Sequence, residues 1–275
     1  MTAERPMIFD FRAAQASRER ARRLAGDRFL DQAALEGLCD RLAAVTRHFD
    51  RGLWIGETLP SAMRPFARDW RVADFDNREV LNINGGPFDL AVSLYSLQAI
   101  NDLPGALIQI RRALKPDGLF LAALFGGETL RELRESFTVA ESEISGGISP
   151  RVSPFADVRD MGALLQRGGF ALPVADVERL QVRYRGFGAL VRDLRAHGQG
   201  NALAARRRHF LSRRVLNALV AYYSTHHASD GKLNATFETL YLTGWTPHQS
   251  QQQPLKPGSA KTRLSDALGT VERKI

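Results

Sequence analysis

A single glycine stands where an apolar strand pattern ends, and its place is typical of a loop that holds a nucleotide-type cofactor. The segment RGLWIGETLP, residues 51–60, runs through a short apolar stretch to Gly56 and then toward a helix start. Glycine suits such a turn because it has no side chain and adopts positive φ freely. Glu57, Leu59 and Pro60 follow where a binding loop favours more glycines. The segment therefore indicates either a working cofactor loop or a plain strand-to-helix turn.

An acidic residue follows at the predicted end of the next strand. Asp74 lies in the pattern WRVADF (70–75), 18 residues after Gly56 (74 − 56). An acidic residue at a strand end can accept hydrogen bonds from both hydroxyls of a ribose, as in dinucleotide sites. A strand-end turn residue is the alternative interpretation.

Glu57 would repel a ligand carboxylate at ~4 Å by on the order of 4 kcal/mol, or pair with a ligand ammonium group.

The apolar run PFDLAVSLYSL (87–97) predicts a central strand whose end faces the same crevice. Ligands bind in sheets of this kind at the carboxyl ends of the strands. We expect Ser93 and Leu94 to contact a cofactor there. Tyr95 and Gln98 would then line the substrate entrance, with simple loop packing as the alternative.

Alternating charges in the segment 126–143 offer a further binding surface. Their i, i+3 and i+4 spacing forms ion pairs on a helix, which usually indicates a solvated face. Because the segment follows a predicted strand directly, Glu128, Arg131 and Glu141 are also candidates to contact a substrate arginine or a partner protein. No His and carboxylate spacing is typical of a metal site, and the single Cys39 excludes an internal disulfide.

The elements that must position these residues alternate between strand and helix, which indicates an α/β fold with a mostly parallel sheet. Helical patterns cover 17–49, 161–170 and about 187–197 and 204–227, while 177–186 and 237–245 alternate like antiparallel strands. KPDG, residues 115–118, predicts a turn. The expected domains are as follows: an N-terminal helical segment (1–50), an α/β domain (51–245) with a helical insertion (about 187–230), and a polar tail (246–275).

The chain carries a formal net charge of +8, supplied mainly by arginine. The densest cluster, RRRHFLSRR (206–214), predicts a helix with a solvated basic face and an apolar stripe that includes Phe210. A docking face for an anionic partner is the alternative, and no specific nucleic-acid motif accompanies it. No apolar run is long enough for a transmembrane segment, although peripheral contact with a membrane is compatible with the charge. We expect a cytoplasmic protein.

Longer blocks of the sequence resemble a known family. The block FDLAVSLYSLQAINDLPGALIQIRRALKPDGLFLAALFGG (88–127) is similar to class I S-adenosylmethionine-dependent methyltransferases, including the malonyl-carrier methyltransferase type. Four further segments are similar to the family of the mitochondrial respiratory complex I assembly factor 5 and its alphaproteobacterial relatives. They are residues 9–22, 126–170, 234–245 and 248–260. The resemblance covers nearly the whole chain.

This resemblance implies a Rossmann-like class I methyltransferase fold with S-adenosylmethionine as cofactor. Gly56, Glu57, Asp74, Ser93 and Leu94 would contact that cofactor. It implies a methyltransferase-type enzyme that acts on a protein substrate, such as a complex I subunit, during complex I assembly. The mitochondrial family member is understood to hydroxylate an arginine. The alternative is a non-catalytic binding protein of the same fold with a decayed cofactor loop.

Two departures from the family pattern bear on that alternative. Family members carry Asp-Leu-Gly-Cys-Gly-x-Gly after the first strand, whereas residues 54–60 read Trp-Ile-Gly-Glu-Thr-Leu-Pro and keep only Gly56. The interval from Gly56 to Phe88 is also short. The sequence therefore predicts a sheet that lacks one strand–helix unit.

Overall fold

A computed structural model describes residues 7–24, 26–252 and 269. Its helices are α1 (Phe11–Arg23), α2 (Phe29–Ala43), α3 (Leu103–Ala113), α4 (Arg131–Ser145), α5 (Val158–Arg167), α6 (Phe187–Ala196) and α7 (Arg213–His226), with a 3-10 helix at Ser61–Phe66. Its strands are β1 (Phe49–Ile55), β2 (Ala67–Ala73), β3 (Phe88–Leu94), β4 (Leu114–Phe125), β5 (Ala171–Tyr184), β6 (Ala228–Ser229) and β7 (Lys232–Trp245).

The strands form one seven-stranded sheet in the order β2-β1-β3-β4-β7-β5, with β6 paired to β7. Pairing is parallel from β2 to β4, and β7 runs antiparallel to both β4 and β5. The centre of the sheet forms where the sequence is apolar on both faces, since β3 and the second half of β4 are almost entirely buried. The predicted α/β class with antiparallel C-terminal strands is confirmed.

The sheet is short on the β2 side, as the interval between Gly56 and Phe88 predicted. Residues 56–66 join β1 to β2 through the 3-10 helix and contain no α-helix. Within the described residues no strand lies beyond β2, and residues 74–87 contribute only the isolated bridge between Phe75 and Leu81. The crevice that follows β1 is consequently built without the usual helix N-terminus.

Two hydrophobic clusters cover the two faces of the sheet because neighbouring residues of a strand point to opposite sides. Phe120 and Leu107 lie in the cluster under α3 and α5. Leu38, Trp54 and Tyr241 lie in the cluster under α2. The strand ends are thereby fixed from both sides, which holds the residues that follow them in place.

The N-terminal helical prediction needs correction. Residues 17–49 form the end of α1, all of α2 and the start of β1, rather than one continuous helix. The two helices are separated near Gly26, where a Cβ would overlap the methyl group of Ala196 in α6. This break folds α1 back toward the strand ends.

Two further elements differ from their predictions. The helix expected over 204–227 begins at Arg213, because the Ser212 hydroxyl accepts a hydrogen bond from the Val215 N–H and caps it there. Phe210 consequently lies outside the helix, fully exposed, and not in an apolar stripe. The predicted turn at 115–118 lies inside β4 as a bulge, with Asp117 at a φ of 61°.

Within the described residues, no helix is both long enough and apolar enough to span a membrane. Most of the predicted polar tail, residues 253–268 and 270–275, lies outside the described residues.

The contact of α2 with β7 makes a test of this packing. A Cβ at Gly37 would overlap the phenol ring of Tyr241, which is buried and held under the Arg41 guanidinium at 3.5 Å. We therefore expect Gly37→Ala to lower the free energy of unfolding by about 1–3 kcal/mol, although alanine favours helix. Gly162→Ala in α5 is the control, because no heavy atom lies within 4 Å of its Cβ position.

Denaturant titration followed by circular dichroism measures both variants. Gly162→Ala should gain about 0.5–1 kcal/mol from helix propensity. An equal gain in Gly37→Ala would contradict the packing of α2 against Tyr241.

Candidate functional site

A crevice of about 510 Å³ opens at the carboxyl ends of β1 and β3. Its inner side is lined by Trp54 and Gly56, from β1 and its end, and by Leu94 and Tyr95, from β3 and its end. Its outer walls come from α1, α2 and the segment after α6. The volume falls in the range of small-molecule sites, about 300–1,000 Å³.

Gly56 lets the side chains of Ser96 and Trp54 pack closely against the end of β1. Its φ is 151°, and a Cβ there would lie 2.9 Å from the Ser96 Oγ and 3.1 Å from the Trp54 Nε1. Its N–H donates to the Ala73 carbonyl at 2.8 Å, which ties the turn to the end of β2. The position therefore requires glycine on both steric and conformational grounds.

The bulky residues around this turn leave the crevice open. Trp54 is buried and forms one wall. Leu59 packs partly buried against the cluster under α2, and Phe75 lies in the core on the other face of the sheet. A loop without further glycines consequently still leaves space for a ligand above Gly56.

Tyr95 is held rigidly beside that space. Its φ of 53° is unusual for a residue with a side chain and costs roughly 1–3 kcal/mol. Its ring stacks on Phe125 at 4.1 Å, and its hydroxyl hydrogen-bonds the Thr239 hydroxyl at 2.9 Å. Burial raises the pKa of Tyr95 far above its usual range. Tyr95 is therefore a neutral, fixed wall and not a proton acceptor.

Gln98 carries an acceptor that no described residue satisfies. Its Nε2 donates to the Gln199 Oε1 at 3.2 Å, while its buried Oε1 has no hydrogen-bond partner among the described residues. A buried acceptor without a donor is costly, at about 1–3 kcal/mol. Because Gln98 lines the crevice, a hydroxyl or amine of a ligand would satisfy it.

Arginines of α1 contact both acidic residues that the sequence singled out. Arg18 lies 3.6 Å from Asp74, and Arg22 lies 3.2 Å from Glu57. Burial raises the pKa of Asp74, and Arg18 acts in the opposite direction. Glu57 and both arginines line the crevice, whereas Asp74 lies just behind Arg18. The Arg22–Glu57 pair is the more exposed of the two, and exposed pairs contribute only about 0–1 kcal/mol.

The side chains of Ser93 and Leu94, at the end of β3, point to opposite faces of the sheet. Leu94 lines the crevice. Ser93 is fully buried, and its Oγ has no hydrogen-bond partner among the described residues. Neighbouring residues of a strand point to opposite faces, so Ser93 supports the strand end from below and Leu94 faces a ligand.

The three predicted substrate residues beyond β4 do not line the crevice. Glu128 and Arg131 form an exposed ion pair of 3.1 Å with each other. Glu141 departs most from its predicted role as a substrate contact. It is 1% exposed and accepts hydrogen bonds from the Ser149 hydroxyl and the Arg151 guanidinium. Its carboxylate is committed to holding the segment after α4, and so it is not available to a substrate.

His197 contributes to the site without a signal in the sequence. It is buried, and its Nδ1 lies 2.8 Å from the Asp193 carbonyl while its Nε2 accepts from the Leu30 N–H at 3.3 Å. These bonds join α6 to the start of α2 on the crevice wall. The contact spans 167 residues of sequence, so local patterns cannot indicate it. Among the described residues, no group of three or more His, Cys, Asp or Glu is arranged for a metal ion.

Comparison with known proteins agrees with this architecture. Residues 57–122 match a family described as a methyltransferase domain. The YcgJ protein of Bacillus subtilis superposes with a TM-score of 0.50 at 13% identity, covering 78% of this chain and 99% of that one. A structure from Bacillus halodurans C-125 gives the same values. Fold and site together define a protein with the Rossmann-like class I methyltransferase fold.

In sequence, the chain is similar to proteins named arginine-hydroxylase NDUFAF5. It is 44% identical to the Danio rerio protein over 191 residues, which cover 69% of this chain and 59% of that protein. It is 43% identical to the Homo sapiens protein, covering 71% and 56%. A malonyl-(acyl-carrier protein) O-methyltransferase of Laribacter hongkongensis is 37% identical, covering 66% and 58%. The chain thus spans less than two thirds of each of these relatives.

The crevice fits S-adenosylmethionine, the cofactor that the methyltransferase domain supports. Its volume accommodates a nucleoside with an amino-acid chain, and Gly56 leaves the floor free of a side chain. The unpartnered Gln98 Oε1 offers an acceptor, while Trp54 and Leu94 offer apolar surface. Asp74 follows the end of β2 and pairs with Arg18, so it does not itself line the crevice.

The interior position of Glu141 makes a pH-dependent test. Burial raises the pKa of Glu141, but the hydrogen bonds from Ser149 and Arg151 outweigh it and leave the pKa below its usual value. A lowered folded pKa stabilises the protein above the unfolded value of about 4.3, and this stabilisation is lost as the pH falls through the folded value. We expect Glu141→Gln to lower the free energy of unfolding by about 1–3 kcal/mol at pH 7, because Arg151 loses its partner.

The difference in free energy of unfolding between wild type and Glu141→Gln should become smaller as the pH falls from about 5 toward 3. Urea titrations across this range measure it. Glu143→Gln, an exposed change on the same helix, is the control and should stay close to wild type. A constant difference across the pH range would contradict the account of Glu141.

Proposed function

We propose that this chain binds S-adenosylmethionine in the crevice above Gly56 and acts as a methyltransferase-type enzyme on a protein substrate during respiratory complex I assembly. The observation that carries the proposal is the open crevice itself. It lies where the fold holds its ligand, and it contains a required glycine and a buried acceptor that no described residue satisfies.

When bound, S-adenosylmethionine supplies an electrophilic methyl group on its sulfonium centre. The backbone at Gly56 allows close approach, and Trp54 and Leu94 exclude water from the apolar part of the ligand. The Gln98 Oε1 accepts from a hydroxyl or amine. Asp74 accepts from the ribose hydroxyls once Arg18 gives way, which costs little at a half-exposed pair.

The acceptor would enter past Tyr95, on the open side of Gln98. Tyr95 is fixed by its stacking on Phe125 and its hydrogen bond to Thr239, so it aligns an acceptor without moving a proton. Positioning of this kind can supply most of the rate of a transfer between two bound groups, on the order of 7–11 kcal/mol. The similarity to proteins named arginine-hydroxylase supports arginine as the group acted on, and we propose that a protein substrate presents it. We also propose the cytoplasmic location expected from the sequence.

A second candidate is a non-catalytic binding protein of the same fold. Arg18 and Arg22 of α1 contact both acidic residues at the crevice, and a 3-10 helix replaces the α-helix that usually follows the cofactor loop. These features favour a scaffold whose α1 covers an inherited ligand site.

Calorimetric titration with S-adenosylhomocysteine tests the cofactor half of the proposal. Wild type should bind, and Gly56→Val should reduce the affinity by at least about tenfold, because its side chain would enter the space beside Ser96 and Trp54. Gly147→Val is the control, since no heavy atom lies within 4 Å of its Cβ position. It should bind like wild type.

Absence of binding by wild type would remove the cofactor half of the proposal. A double variant, Glu57→Gly with Leu59→Gly, then identifies the second candidate. Affinity gained in that variant alone would support a decayed cofactor loop in a non-catalytic protein.

A further inference from the structure

A second cavity, of about 610 Å³, adjoins the crevice on the side of α4 and α6. We call it the side chamber. Its walls are mainly aromatic and aliphatic and include Phe125, Leu133, Phe137, Phe187, Leu216 and Phe237. Such a chamber favours an apolar ligand because burying apolar surface stabilises by about 25 cal/mol per Å².

The side chamber and the crevice share part of their walls. Ser153, Phe155, Gln199 and Gly200 line both of them. A ligand in the side chamber therefore lies next to whatever occupies the crevice. Phe125 strengthens the link, since it lines the chamber and stacks on Tyr95 of the crevice.

The charged residues of the side chamber are all arginines. Arg151, Arg192 and Arg195 line it, and no Asp or Glu does. Arg151 is neutralised by Glu141. The side chains of Arg192 and Arg195 are exposed and make no hydrogen bond or ion pair with a described residue. Their spacing of three on α6 places both guanidinium groups on one face at the rim.

The chamber favours an anionic ligand over a cationic one such as an arginine side chain, because the charged side chains among its described lining residues are all arginines. A guanidinium carries five N–H donors and needs acceptors when it is buried. The Thr129 Oγ1 donates to the Glu238 carbonyl, and both amide atoms of Asn201 are used by Pro150 and Leu203. Two free arginines at the rim would also repel it.

We propose that the side chamber binds an amphipathic anion: a single apolar chain that lies among the aromatic walls, with a carboxylate held by Arg192 and Arg195. A carboxylate matches the planar donors of arginine, and such pairs are the strong class of hydrogen bond. This site is separate from the proposed cofactor site, and its occupation does not require S-adenosylmethionine.

Three probes with the same ten-carbon chain test the chemistry of the site. Decanoate, decanol and decylamine are titrated calorimetrically into the full chain below their micelle-forming concentrations. Decanoate should bind at least about tenfold more tightly than decanol, and decylamine should not bind detectably. Equal affinities for decanoate and decylamine, or no binding of decanoate, would overturn the proposal.

Variants then locate the binding. Arg192→Gln with Arg195→Gln should weaken decanoate about tenfold and leave decanol unchanged. Arg159→Gln with Arg167→Gln on α5 removes the same charge from exposed positions outside the chamber and should have no effect. If the control pair weakened decanoate binding to the same extent, the effect would be a general one of charge. That result would overturn the assignment of the carboxylate to Arg192 and Arg195.

A filled chamber provides the steric test. Gly188 lines the chamber, and the atom nearest to its Cβ position is a flexible Arg192 nitrogen at 3.7 Å, so Gly188→Leu can fold and occupy the space. Val191→Trp fills the same chamber if the first variant is unstable. Either should abolish decanoate binding and retain the S-adenosylhomocysteine affinity of wild type. Decanoate binding that survives in a folded, filled variant would overturn the proposal, independently of the cofactor result.

Discussion

The close packing at Gly56 holds the rest of the site in place. The Ser96 Oγ and the Trp54 Nε1 approach this backbone so closely that no side chain fits between them and β1. The turn is tied to β2 through the Ala73 carbonyl and lies beside β3, so three strand ends are held around one point. Loss of one strand–helix unit beyond β2 leaves this point intact, because β1, β3 and β4 remain the covered centre of the sheet.

The N-terminal helices convert an open strand edge into an enclosed site. Gly26 lets the chain turn against Ala196, and the turn brings α1 over the crevice with Arg18 and Arg22 facing Asp74 and Glu57. The same acidic residues that can hold a ligand thus also hold the cover. A ligand that pairs with the same carboxylates would compete with α1 for them.

Local patterns in the sequence predicted those parts of the fold that depend on local physics. The apolar run of β3 indicated the centre of the sheet, and the short interval before Phe88 indicated its missing unit. The crevice residues Gly56, Leu94, Tyr95 and Gln98 followed from the rule that parallel strands end at one edge.

The remainder depends on contacts between distant parts of the chain. The sequence does not reveal that Glu141 turns inward to Arg151, because the same spacing of charges suits an exposed helix face. Nor does it reveal the arginines that face Asp74 and Glu57, or the tie between His197 and Leu30. Tertiary packing decides which side of each helix is covered, and local sequence patterns do not indicate that packing.

We propose that a turn with one glycine still holds a sulfonium nucleoside against the sheet. A crystal structure of the full chain grown with S-adenosylhomocysteine would show whether it does. We expect nucleoside density beside Gly56, with a ligand donor at the Gln98 Oε1 and the Trp54 indole along one wall. Density for the Trp54 indole inside the crevice, with no nucleoside beside it, would rule the proposed site out.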